Sequence, residues 1–134
     1  MLPPNDQRRL VKAALAARKR AIAPYSKFQV GAALLTRKGE IIGGANVESA
    51  SYGLTCCAER VALFKALTEG KKDFIAVAVV AHGAVSPCGA CRQLLIEYAP
   101  KAEVFVADPA TPKDIRRYTV VELLPAAFRE FEAD

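Results

Sequence analysis

Apolar residues recur at helical spacing early in the chain. Between Asn5 and Ala23, Leu10, Val11, Ala14, Leu15 and Ala17 gather on one side and charges on the other, which predicts a helix. Pro24 is its expected stop, because proline cannot continue a helix. The pattern then changes period. Lys27 to Thr36 is dense in Val, Leu and Phe and reads as a strand, Lys38-Gly39 as a turn, and Glu40 to Ala45 as the returning arm of a hairpin. Asn46 to Thr55 is small and polar, a loop of the kind that carries function on a rigid scaffold. Cys57 to Glu69 reads as a helix closed by Gly70, and Phe74 to Ala81 as a strand buried on both faces. His82 to Pro87 is a loop, Cys88 to Tyr98 a helix, and Glu103 to Ala107 a further strand. Beyond Pro109 and Pro112, the stretch from Ile115 to Phe131 is expected to form short helices.

The resulting order, α-β-β-α-β-α-β-α, predicts an α/β fold: a three-layer α/β/α sandwich, its mixed sheet covered by helices on both faces. No linker, repeat or low-complexity segment interrupts it, so residues 1–134 are expected to form a single domain.

Composition narrows the class without choosing within it. The chain is 52% apolar and 25% charged, ordinary for a soluble globular protein. Its formal charge is +5, with an excess in Arg8, Arg9, Lys12, Arg18, Lys19 and Arg20, which is expected to be the solvated face of the first helix. A nucleic-acid footprint would interleave such charges with aromatics, and that combination is missing. No secretory segment opens the sequence, and its longest apolar run, Phe74 to Ala81, is far short of a membrane span. A cytoplasmic location is therefore expected. Thiols stay reduced there, which favours metal binding or catalysis over disulfides for Cys56, Cys57, Cys88 and Cys91.

The cysteine spacing carries the chemistry. Cys88 and Cys91 stand three apart at a helix start and so face the same way. Cys57 opens another helix, with Glu59 just inside it. Tetrahedral zinc needs sulfurs roughly 3.8 Å apart, which one helical turn can supply, and helix N-termini favour thiolate over thiol. Three protein ligands leave one zinc position open for water; the metal makes hydroxide near neutral pH and a neighbouring carboxylate relays the proton. Two other uses stay open at this point: a closed four-cysteine staple including Cys56, and a redox pair at Cys88 and Cys91. Arg60 is expected to donate to the ligand sulfurs and offset part of their negative charge. His82 is expected to be a surface residue.

A cysteine, a glutamate two residues on, and a later Pro-Cys-x-x-Cys resemble the signature of zinc nucleobase deaminases. The likeness extends nearly end to end, to short-form cytidine deaminases. Pro24 to Leu34 resembles that family's first strand, Asn46-Val47-Glu48 with Tyr52-Gly53 its ribose loop, and Cys57-Ala58-Glu59-Arg60 with Pro87 to Gln93 its zinc motifs. Leu123-Leu124-Pro125 with Phe128 resembles its C-terminal segment. The resemblance implies one zinc per subunit on Cys57, Cys88 and Cys91, with Glu59 as proton shuttle. It implies that Phe28 packs on the pyrimidine, that Asn46 and Glu48 hold the ribose hydroxyls beside Tyr52, and that the Ala58 backbone meets the base carbonyl. It implies a homotetramer with shared active sites, Phe128 reaching a neighbour's site, and hydrolysis of cytidine and deoxycytidine in pyrimidine salvage. Ile22, Ala45, Ser49 and Cys56 depart from the family's usual residues. Glu48 would repel the phosphate that replaces a sugar hydroxyl in a polynucleotide or a 3′-nucleotide, so a free nucleoside is the expected substrate. A deaminase of some other cytosine-containing molecule is the runner-up.

Overall fold

The computed structural model describes residues 1–129. In order it contains α1 (Pro4–Arg18), β1 (Val30–Thr36), β2 (Ile41–Ala45), a 3-10 turn (Tyr52–Leu54), α2 (Ala58–Thr68), β3 (Phe74–Ala81), α3 (Gly89–Tyr98), β4 (Glu103–Ala107), β5 (Arg116–Thr119) and α4 (Val120–Leu123). The strands form one mixed sheet in the order β2-β1-β3-β4-β5, parallel between β3 and β4 and antiparallel elsewhere.

Alternation along the central strand divides the core into two layers. Val77 and Val79 of β3 face Ala62, Leu63 and Ala66 of α2 and Leu95 and Ile96 of α3. Ala76, Ala78 and Val80 face Leu10, Val11 and Ala14 of α1. Leu10, Leu34, Leu63 and Leu95 are fully buried, each worth about 1.5–3 kcal/mol relative to exposure. The expected three-layer α/β/α sandwich is present. The basic residues Arg8, Arg9, Lys12, Lys19 and Arg20 lie exposed, while Arg18 is half-buried and its Nε donates to the Gln29 carbonyl at 3.0 Å.

Three expectations need correction. The first helix ends near Lys19 rather than Ala23, because the backbone of Ile22 is claimed by the loop after β2: Ile22 donates to Asn46 at 2.9 Å and accepts from Glu48 at 2.9 Å. The first strand begins at Val30 rather than Lys27, since Lys27 takes a left-handed conformation at φ 62° and the Asn46 side chain substitutes for a strand partner beyond it. The C-terminal stretch is not purely helical. Arg116–Thr119 pairs antiparallel with β4 as a charged edge strand, followed by a single helical turn. That turn is fixed by a capping box: Glu122 N–H donates to Thr119 Oγ1 at 3.1 Å, and Thr119 N–H to Glu122 Oε1 at 2.7 Å. The end of the predicted segment, at Phe131, lies outside the described residues.

The sheet register decides where the chemistry can gather. Val30 pairs with Ala81, and Gly31 with Ala45, so the start of β1 and the ends of β2 and β3 share one edge of the molecule. From that edge the chain runs into the loop before α2 and the loop before α3. Two glycines hold the helices close. A Cβ at Gly31 would lie 2.0 Å from the Ala14 carbonyl oxygen of α1, and one at Gly44 would lie 2.5 Å from the Ala62 nitrogen of α2.

Candidate metal centre and substrate cavity

Cys57 is the N-cap of α2 and Cys88 the N-cap of α3, with Cys91 in the first turn of α3. Neither cap makes a side-chain hydrogen bond to its own helix, so both sulfurs remain free for another partner. The Sγ atoms of Cys57, Cys88 and Cys91 all lie within 4.8 Å of one another. Cys57 to Cys88 is 3.7 Å, and Cys88 to Cys91 is 3.5 Å. These separations fit a tetrahedral zinc, whose ligand sulfurs stand roughly 3.8 Å apart. The donor set fits as well: three thiols of one type at two helix N-termini, where unpaired N–H groups favour thiolate.

Charge in the cluster follows the same logic. The Cys57 thiol is pushed down to about 5, chiefly by its contact with Cys91 and also by Arg60. Cys91 moves the other way, raised by that same contact and by burial. Arg60 donates to Cys57 Sγ at 3.4 Å and to the Thr55 carbonyl at 3.4 Å, and contact with the sulfur holds its guanidinium more firmly charged. Cys56 does not join the cluster. Its backbone exchanges hydrogen bonds with Val47 at 2.8 and 3.0 Å, and burial pushes its thiol up. That pairing sends successive side chains of a locally extended chain in opposite directions. His82 is exposed, with Nδ1 3.8 Å from Asp108 Oδ2.

Glu59 stands on the first turn of α2 and is 5% exposed. Burial raises its carboxyl above the ordinary range, with the neighbouring Cys57 adding to the rise. A raised carboxyl both accepts and returns a proton more readily near neutral pH. Ala58, the first residue of α2, is fully buried, and its N–H is among those an α-helix leaves without an internal partner.

A cavity of about 220 Å³ lies against this centre. Cys57, Glu59 and Cys88 line it together with Phe28, Asn46 and Glu48, Val79 of β3, and Val85 and Ser86 of the 82–87 loop. The volume is below the ~300 Å³ at which drug-sized ligand sites begin, and suits a smaller molecule.

The wall residues are held differently. Asn46 is 7% exposed; its Oδ1 accepts from Val30 N–H at 2.9 Å and its Nδ2 donates to the Phe28 carbonyl at 2.8 Å. It thus fastens the Phe28 backbone while still lining the cavity. Glu48 Oε1 accepts from Tyr25 N–H at 3.0 Å and Ser26 N–H at 3.1 Å, and Oε2 accepts from the Ser26 hydroxyl. These bonds, led by the Ser26 hydroxyl, hold the Glu48 carboxyl below its usual range. Tyr52 is 87% exposed and lines an adjoining cavity of about 340 Å³ with Tyr25, Ser26, Glu48, Ser49 and Thr55. It does not line the cavity at the cysteines. Phe128 is 65% exposed, and its carbonyl accepts from Gln93 Nε2 at 2.6 Å.

Sequence reasoning missed two contributors. Ser26 carries no sequence signal of its own, yet it meets Glu48 through both backbone and side chain. Arg92 follows the second cysteine pair and pins the loop that leads to Cys88: it donates to the Pro87 carbonyl at 2.7 Å, the Ser86 hydroxyl at 2.8 Å and the Leu123 carbonyl at 2.9 Å. An arginine among apolar positions next to a ligand motif was the available signal.

Known proteins match this arrangement across most of its length. Residues 4–107 match the family model for the cytidine and deoxycytidylate deaminase zinc-binding region. A cytidine deaminase from Halalkalibacterium halodurans is 55% identical over 125 residues, covering 92% of this chain and 94% of the relative. One from Sporosarcina psychrophila is 47% identical over 126 residues, covering 92% and 91%. The crystal structure of cytidine deaminase from Burkholderia pseudomallei superposes with a TM-score of 0.83 at 49% identity, covering 90% of this chain and 97% of that one. Zinc is the cofactor that the cysteine cluster and the matched zinc-binding region together require. With the fold, the three-sulfur cluster and the sequence all agreeing, this chain belongs to the zinc-dependent cytidine and deoxycytidylate deaminase family.

Proposed function

We propose that the protein hydrolyses cytidine and deoxycytidine to uridine and deoxyuridine with release of ammonia. The observation that carries this reading is one small cavity lined by Glu59, by Cys57 and Cys88 of the cysteine cluster, and by Phe28, Asn46 and Glu48. The relatives named cytidine deaminase support the substrate. Residues 1–134 act as one catalytic unit.

Cys57, Cys88 and Cys91 would hold the zinc, which when bound lowers the pKa of water enough to supply hydroxide near neutral pH. Glu59 accepts the proton that water gives up and delivers it to the ring nitrogen beside the amino-bearing carbon, leaving that carbon open to attack. Once hydroxide has added to that carbon, Glu59 takes the proton of the new hydroxyl and passes it to the amino group, and the C–N bond breaks to release ammonia as the carbonyl forms. Burial suits Glu59 to these exchanges by keeping bulk water from competing. Arg60 offsets part of the negative charge that three thiolates would otherwise concentrate. Phe28 packs on the pyrimidine, Ala58 N–H donates to the base carbonyl, and Asn46 and Glu48 receive the sugar hydroxyls.

Tyr52, which shares the adjoining cavity with Glu48, borders the sugar, and Phe128, 65% exposed, suits contact with another copy; the proposed assembly is a homotetramer in which Phe128 closes a neighbour's cavity. The cytoplasm, where thiols stay reduced, suits three thiolate ligands.

The test is a spectrophotometric assay on cytidine, deoxycytidine and cytosine, with and without a chelator. Turnover of both nucleosides, lost on chelation, is expected. Glu59→Gln should retain zinc and lose at least ~10²–10⁴-fold in kcat, the usual worth of one general acid-base group. No turnover of either nucleoside by the metal-loaded wild type would overturn the reading, and near-normal turnover by Glu59→Gln would remove Glu59 from it.

A further inference from the structure

We infer that Ser26 is a positioning residue for sugar recognition: its hydroxyl and N–H aim the Glu48 carboxylate into the cavity. The inference rests on the cytidine-hydrolysis reading above and deepens it. Glu48 lies on the loop after β2, where nothing in its own segment fixes a three-bond side chain. Its orientation comes instead from the turn before β1, through Tyr25 N–H, Ser26 N–H and the Ser26 hydroxyl.

The direction of the hydroxyl bond is determined. Phe28 N–H donates to Ser26 Oγ at 3.0 Å, so the oxygen already serves as an acceptor and its own proton goes to Glu48 Oε2. Lys27, between Ser26 and Phe28, is held at φ 62°, a left-handed conformation that non-glycine residues rarely adopt. Strain of this kind persists where surrounding bonds over-determine the backbone. Here those bonds are Lys27 N–H to the Ala23 carbonyl at 3.0 Å and Phe28 N–H to Ser26 Oγ. The strained turn is what brings the Ser26 N–H and hydroxyl to bear on one carboxylate together.

The consequence for binding is specific. With Oε1 engaged by two backbone donors and Oε2 by one hydroxyl, Oε2 keeps the freer accepting capacity, and a sugar hydroxyl is its natural complement. Without the Ser26 hydroxyl, Glu48 would still be present and charged but free to turn toward solvent. Selectivity for a substrate bearing that hydroxyl should then fall, while the chemistry at the cysteine cluster continues.

Steady-state kinetics on cytidine and 3′-deoxycytidine test this, with zinc content and Tm measured alongside. In the wild type, loss of the 3′-hydroxyl should raise KM. Ser26→Ala should raise KM for cytidine roughly 10-fold, the scale of one hydrogen bond to a charged group, leave KM for 3′-deoxycytidine nearly unchanged, and shift kcat little. Ser26→Thr, which keeps the hydroxyl at an exposed position, should restore KM. In a Glu48→Ala background, Ser26→Ala should add nothing. Equal KM rises for both substrates, no rise for either, or full additivity with Glu48→Ala would each overturn the role of Ser26. Absence of cytidine turnover in the wild type would instead overturn the reading beneath it.

Discussion

Cys56 and Cys57 are adjacent and chemically identical, yet only one belongs to the metal cluster. The difference is the extended pairing of Cys56 with Val47, which turns its side chain away as Cys57 caps α2. Cys56→Ala should therefore keep one zinc per chain by metal analysis, with turnover intact. Cys91→Ser should lose the metal, because it removes a buried thiolate from the set. Zinc loss in Cys56→Ala would revive the four-cysteine staple that the sequence had left open. The clustering of Cys57, Cys88 and Cys91 was anticipated by residue type and spacing. Ser26 was not, since its partner lies 22 positions away. Asn46 was legible as a cavity residue, but its grip on the Phe28 and Val30 backbone emerges only from the fold.

Helices α2 and α3 deliver the cluster, so small errors in their placement should be felt as chemistry. The tightest control on α2 is Gly44 of β2, whose missing side chain lets the Ala58 carbonyl and the Ala62 backbone approach. A methyl there would sit 2.5 Å from the Ala62 nitrogen, and the helix carrying Glu59 would have to move. Gly44→Ala is expected to cost about 1–3 kcal/mol, the range for overpacking a core, and to lower kcat even where the protein remains folded. Calorimetry paired with kinetics reads both; unchanged Tm and kcat would refute the argument. A Gly-Gly pair inside a strand hints at such close approach, but it does not name the helix that approaches. The β5 strand shows the opposite limit. Arg116-Arg117-Tyr118-Thr119 has neither length nor alternation to announce itself, and only pairing with β4 makes it a strand. The capping box at Thr119 and Glu122 was written in the sequence, at the spacing such boxes require.

For the whole molecule, the unfinished part is a set of large apolar side chains left at the surface. Tyr25, Val47, Tyr52, Leu54 and Phe128 are apolar or aromatic and substantially exposed in the single chain. In the proposed tetramer a neighbour covers such residues, and Phe128 fills the neighbour's cavity. Sedimentation at decreasing concentration should find tetramers in the wild type. Phe128→Ala should raise KM for cytidine several-fold and weaken assembly, with little effect on the fold of the separated chain, since the ring is 65% exposed there. A fully active monomer would dismiss the shared-site arrangement.

The sequence by itself determined the chemistry, the layered class and the central elements. Phe74–Ala81 and Glu103–Ala107 have the predicted bounds because a short apolar run between turn residues has few other ways to be buried. Thiols at two helix starts announce a metal site because the spacing of one helical turn is local geometry. The tertiary structure decided the ends of α1 and β1, the identity of β5, the exclusion of Cys56 and the clamp on Glu48. Each of these depends on a hydrogen bond or close approach between segments far apart in the chain, and no local pattern encodes such a meeting until the sheet register has brought the segments to one edge.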